Sequence, residues 1–316
     1  MTSASVVLAS LGSTGFAALG TALKHRSATR LSQSRKDHPP GVARLVARSA
    51  TEPLWLCGLL ADGGAVGLQV YALHIGALAV VQPLLVTALL FSLVLNHVFD
   101  RTFITAKELG WAVTLIASLA TFLTVSGAAS PATSGPAQAA DKVPAEAAAI
   151  LAVVVVVACL AAARRRPRVQ RAALFGVAVG FIYASTAALI KACTDIAARS
   201  PSALLTSWQL YVLLVAGATG LICVQLAFHA GPLTASLPVI AAVDPVLSVA
   251  LGVLVYDERL RGGPWTITVE AASLMLLASA AFALSRVRAI ADEQPTRAPR
   301  DRQVEIDATA AEPAGS

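Results

Sequence analysis

The chain reads as an all-α polytopic membrane protein: nine transmembrane helices forming an inverted repeat of two four-helix units around one spacer helix. Three observations predict this. Of the 316 residues, 56% are hydrophobic and only 13% are charged, about half the charge usual in a soluble domain, and the mean hydropathy is +0.71. The apolar residues fall in runs near the roughly 20 residues a bilayer-spanning helix needs. Part of the chain also recurs at a fixed offset.

The runs lie at residues 5–23, 53–73, 77–99, 108–125, 145–163, 171–192, 205–228, 232–256 and 266–285. The first is followed by Lys24, His25, Arg26 and Arg30 with no basic residue before it, the reverse of a secretory signal peptide, so it reads as a retained helix. Residues 24–52 form a basic loop, in which Val42, Leu45 and Val46 share one helical face with Arg44 and Arg48 outside it; an interfacial helix and a plain loop both fit. Residues 126–144, rich in Ser, Gly, Pro and Ala, read as a flexible loop. They begin a linking region, 126–170, that also holds the spacer helix and a basic loop. Residues 286–316 read as a disordered tail.

Basic residues set the orientation. With the N-terminus outside, 19 of the 24 Lys and Arg fall on the cytosolic side, leaving Lys142, Lys191, Arg199, Arg259 and Arg261 outside. The expectation is a multi-pass protein of the cytoplasmic membrane, C-terminus cytosolic. The net charge of +6 then suits anionic headgroups and calls for no nucleic acid. Cys57, Cys159, Cys193 and Cys223 lack CxxC spacing and read as free thiols. No GxxxxGK[ST] phosphate loop is present, so any transport is expected to run on gradients or on a partner's ATPase. No cofactor is expected.

The repeat appears at an offset of 155, which matches Leu59, Ala61, Ala72, His74, Gly76, Leu78 and Pro83 with Leu214, Ala216, Ala227, His229, Gly231, Leu233 and Pro238. At an offset of 165, Gly15, Phe16, Thr21 and Ala22 match Gly180, Phe181, Thr186 and Ala187. Residues 5–125 thus form one unit and 171–285 the other. Five helices separate their starts, so equivalent helices cross in opposite senses, the construction of many secondary transporters.

Two carboxylates stand inside spans, Asp62 and Asp244. Such a charge costs about 2.5 to 3.5 kcal/mol on insertion scales, which makes each a functional candidate. Asp62 is followed by Gly63, Gly64, Ala65 and Gly67, a surface a neighbouring helix can approach closely. It could carry a proton or bind a cation; the competing reading is a packing hydrogen bond. Asp244 precedes Pro245, which frees a backbone carbonyl, and carboxylate plus carbonyl oxygens suit a hard cation. A proline kink that the Asp satisfies locally is the alternative. Pro83 and Pro238 are repeat equivalents and, with Pro245, mark helix breaks or hinges. Gln69, Gln82, Tyr71 and Tyr183 are candidates to line a cavity. Lys191 and Glu270 both fall at outer helix ends, where they can form an ion pair.

The run GALAVVQPLLVTALLFSLVLNHVFDR and its counterpart GPLTASLPVIAAVDPVLSVALGVLVYDERLRG resemble the drug/metabolite transporter superfamily, its EamA-like group. That group ends a small-residue and proline helix in an acidic turn, here Tyr256, Asp257, Glu258, Arg259 and Leu260; in the first half Phe99, Asp100 and Arg101 lack the glutamate. Nine helices with an outside N-terminus are similar to its NIPA-type magnesium transporters, whose second-helix acid corresponds to Asp62. The resemblance covers about residues 5–125 and 171–285 and implies a carrier.

Three functions follow. The first is a secondary-active carrier of a small solute, ion- or proton-coupled and working by alternating access. The second is a divalent-cation transporter with Asp62 and Asp244 as metal ligands, and the third a non-transporting scaffold. A homodimer is compatible with each. An enzyme is not expected, because no catalytic cluster stands at a helix end.

Overall fold

A computed structural model describes residues 3–33, 52–100, 104–126, 144–256, 258 and 264–310. Every regular element among them is a helix: α1 (Ser3–Gln33), α2 (Pro53–Ile75), α3 (Leu78–Leu85), α4 (Ala88–Asp100), α5 (Ala106–Val125), α6 (Ala145–Ala163), α7 (Arg168–Arg199), α8 (Pro201–Thr206), α9 (Trp208–Ala230), α10 (Leu233–Tyr256) and α11 (Pro264–Ala310). Among the described residues, nine stretches are long and apolar enough to cross a bilayer, α3 and α4 together supplying the third.

Local chemistry sets the boundaries. Pro53 opens α2 at a position whose N–H would have no helical partner. Thr105 and Glu108 form a capping box on α5: the Thr105 amide donates to Glu108 Oε2 at 2.8 Å and the Glu108 amide to Thr105 Oγ1 at 3.3 Å. Two boundaries differ from expectation. α1 runs on to Gln33, through residues read as loop, and α11 runs to Ala310, through a segment read as disordered. Ala, Arg, Glu and Gln in these extensions all favour helix, which charge patterning alone overlooks. The 41–50 segment and residues 127–143 lie outside the described residues.

The third span breaks at Val86–Thr87, while Pro83 itself lies inside α3. Three residues past the proline the ladder tightens: Val86 donates to the Pro83 carbonyl at 3.3 Å, Thr87 to Leu84 at 3.1 Å, and Leu89 to Val86 at 3.1 Å. α10, by contrast, continues through both Pro238 and Pro245. Neither repeat-equivalent proline interrupts its own helix, and the third span's break falls one turn beyond Pro83. A flanking helix packed along α10 can hold it straight despite a missing donor.

α1 and α2 pack antiparallel through small residues, with Gly12 against Leu68 and Gly64 against Phe16. α7 packs against α9 and α10, and α5 against α11, where Leu115 meets Ala280, Ala281 and Leu284. α3 sits at the centre of the main core: Leu78, Val81 and Leu84 pack with Val6 of α1, Leu73 of α2, Leu119 of α5, Ala187 of α7 and Leu277 of α11. α6 lies outermost, against α7, with Ile150, Leu151, Val153, Val154 and Val157 exposed. Such a face suits hydrocarbon.

Candidate functional site

The structure separates the two span carboxylates. Asp62 is paired with Lys24 of α1, which reaches back across the α1–α2 crossing. Gly20 and Gly58 create the room: a Cβ on Gly20 would collide with the Asp62 carboxylate, and one on Gly58 would lie 2.8 Å from Lys24 Cγ. Both charged side chains stay about one third exposed, at 34% and 32%. Of the glycine-rich run after Asp62, only Gly64 and Ala65 serve the interface. Ala65 accepts from Ser13 Oγ at 2.8 Å, whereas Gly63 and Gly67 face open space.

Among the described residues Asp244 has no such cation. Its recorded partner is Ser248, one turn on in α10, whose hydroxyl donates at 3.2 Å. It lies inside the bundle with part of its surface uncovered. Gly180 of α7 lets α10 approach, its α-carbon facing Val243 and the Asp244 backbone, and Tyr183 of α7 lies within electrostatic reach of the carboxylate. α3 and α4 run past α10 in the opposite sense. Ala79 packs against Val249, and Ala241 borders the same cluster as Val86, Leu89 and Leu90. That register sets Asp244 level with the break at Val86–Thr87.

Polar side chains gather at this level. Thr87 donates to the Leu84 carbonyl at 2.7 Å and lies 3.3 Å from the Thr14 hydroxyl of α1. Gln82 is buried, and its Nε2 has no hydrogen-bond partner among the described residues. Arg288 of α11 donates to Ser92 Oγ, and to the Ser92 and Leu89 carbonyls at 3.3 Å each. An orphaned buried amide costs roughly 1 to 3 kcal/mol, so Gln82 marks a place where a solute or water has something to bind.

Other expected residues fall elsewhere. Tyr71 points outward, 46% exposed, and cannot line an interior cavity; Gln69 is half-buried on α2. Lys191 pairs with Glu258 at 3.7 Å, not with Glu270. Glu270 is buried on α11 with Oε1 unpartnered. Lys191 and Glu270 are near in helix-end position only; the turn after α10 brings Glu258 back over α3, closer than the neighbouring helix. Burial pushes the Glu258 carboxyl above the usual carboxylate range, opposed by the amides of Ala79 and Leu78 and by Lys191.

Several of these contacts were missed in the sequence. Ser248 stands four residues from Asp244, and that spacing was readable. Lys24, Thr14, Arg288 and Glu258 act across long separations, and only Glu258 stood out, as part of the acidic turn. Among the described residues, no three His, Cys, Asp or Glu converge to hold a metal ion.

A bundle of apolar helices with charge and broken backbone inside defines the class: this is a multi-pass membrane protein. The chain is similar to an uncharacterized protein of Corynebacterium glutamicum, 28% identical over 282 residues that cover 89% of this chain and 94% of the relative. No family model matches the chain. No solved structure matches it.

Proposed function

We propose that the protein is a secondary-active carrier of the drug/metabolite type, moving a small solute across the cytoplasmic membrane by alternating access. The observation that carries this reading is Asp244, a carboxylate inside the bundle with no cation beside it among the described residues, level with the break in the third span. A carboxylate so placed is intolerable unless it gains a proton or a positive group, and a carrier can use that exchange for coupling. The transported or coupling species is a proton or a small organic cation.

The inverted repeat belongs to this proposal. In its support, α1 packs on α2 and on α3–α4, while α7, its equivalent, packs on α9 and α10. Residues 5–125 and 171–285 would then be the two moving halves, with the N-terminus outside. Asp62 enters the mechanism differently from the sequence expectation: with Lys24 as its own counter-ion it serves the α1–α2 contact. The magnesium-like reading takes Asp62 and Asp244 as metal ligands, and at Asp62 the Lys24 ammonium competes with a metal for the carboxylate.

Proteoliposome flux tests the proposal. With a pH gradient imposed, a panel of labelled organic cations should show saturable uptake that Asp244→Asn abolishes and Asp62→Asn largely keeps. Unchanged uptake by Asp244→Asn would refute the assignment.

A further inference from the structure

The buried helix α3 runs from the level of Asp244 toward one end of the bundle, and that end has an identifiable fastening. α3 is the plug: Leu78, Ala79, Val80, Val81, Gln82, Pro83 and Leu84 are all buried, packed by α1, α2, α5, α7 and α11. Its lower end is the break at Val86–Thr87, level with Asp244. Its upper end is held by a residue 180 positions later: Glu258 accepts from the Leu78 amide at 2.6 Å and from the Ala79 amide at 2.7 Å. These are unpaired donors of a helix N-terminus, where a carboxylate is favoured by charge and hydrogen bonding together.

Further contacts tie the same point to α7 and α10. Lys191 lies 3.7 Å from Glu258 and donates to the Gly76 carbonyl at 2.9 Å and the Leu73 carbonyl at 3.4 Å. Its ammonium also stands 5.8 Å from the ring of Tyr256, whose hydroxyl donates to the Ala188 carbonyl. The Glu258 amide donates back to Gly252 at 3.1 Å, folding the turn inward, and a side chain at 252 would collide with the carboxylate. α2, α3, α7 and α10 thus meet at one carboxylate.

We infer that Glu258 and Lys191 form a gate latch, which holds α3 as a plug over the Asp244 site and must release before that end can open. The inference rests on the carrier reading for its purpose. The latch itself is a structural statement, tested without any substrate. The element that moves is α3, turning about Val86–Thr87, where three-residue hydrogen-bond steps already replace the α-helical ladder.

Native cysteines report on it. Cys193 is buried two residues past Lys191, within electrostatic reach of Tyr256, whereas Cys223 is buried against Val179 and Ile182. With Cys57 and Cys159 replaced by Ala, purified protein in lipid nanodiscs is labelled with a polar maleimide. Glu258→Ala, which removes both acceptor oxygens from the α3 amides, should raise the Cys193 rate about tenfold and leave Cys223 unchanged, the signature of local opening. Lys191→Met, which keeps the amide contacts, should raise it less, and Lys191→Arg should leave it slow. A Cys193 rate unmoved by both Glu258→Ala and Lys191→Met would overturn the latch. So would Cys193 and Cys223 rising together, which would make Glu258 a stabiliser of the whole fold. Failure of the Asp244→Asn flux test would leave this labelling result standing, so the two ideas fail separately.

Discussion

Asp62 and Asp244 look alike in sequence, each an acid inside an apolar run, yet they occupy opposite electrostatic situations. Asp62 finds Lys24 across a glycine crossing in its own half of the chain and stays one third exposed. Asp244 finds a hydroxyl on its own helix and a broken helix beside it. Insertion cost marks both as unusual and cannot say which is used. What separates them is the presence of a resident counter-charge: a paired acid is already satisfied, and an unpaired one must obtain its charge balance from what passes.

The largest effect should come from removing that distinction. Asp244→Asn is expected to lower gradient-driven flux by at least about a hundredfold, while Asp62→Asn should cost flux less than about threefold, because loss of a coupling acid removes the driven step itself. Equal losses in proteoliposomes would erase the contrast.

Next in size is the break. Pro83→Ala restores a backbone donor inside α3, one turn before the break at Val86–Thr87, and should raise thermal stability while slowing flux about fivefold, since the segment beside the hinge stiffens. Pro238→Ala, in an unbroken helix, should do neither. If both variants behave alike in a melting and flux comparison, α3 is not the mobile piece.

A smaller effect concerns the Lys24–Asp62 pair. A double-mutant cycle with Lys24→Met and Asp62→Asn, read by thermal unfolding, should give a coupling below about 1 kcal/mol, because both groups are partly solvated and exposed pairs gain little. A coupling several times larger would mean the pair is sealed from water.

The smallest is a pH effect at Glu258. Its carboxyl protonates above the usual 4.5 in the latched fold, chiefly through burial. The latched form therefore binds a proton more tightly than an opened, solvated one, so closure is firmest at acid pH and loosens as pH rises through the window just above 4.5. The charges facing this carboxyl are Lys191 of α7 and the amide dipoles of α3, with Tyr256 nearby. Cys193 labelling should rise modestly and then level off; a fall with rising pH would reverse the sign.

Much of the fold was readable because hydrophobic run length is a local property. Among the described residues all nine runs appear as helices. The misreadings share a cause. Pro238 and Pro245 are carried through by packing, and Tyr71 faces outward because α2 presents its other side to α1. Lys191 meets Glu258 because a turn folds back over α3. These outcomes depend on which faces meet, and composition does not encode that. The acidic turn was legible as a motif, but its target, the amides of Leu78 and Ala79, became visible only in three dimensions.

Thermal stabilisation of purified protein by a panel of organic cations and Mg2+, compared between the wild type, Asp244→Asn and Asp62→Asn, tests the central claim most directly, because a ligand of the folded state raises its apparent stability. The account predicts that at least one organic cation stabilises the wild type and Asp62→Asn, and that Asp244→Asn loses the shift. Stabilisation that survives Asp244→Asn, or that vanishes with Asp62→Asn instead, would contradict it.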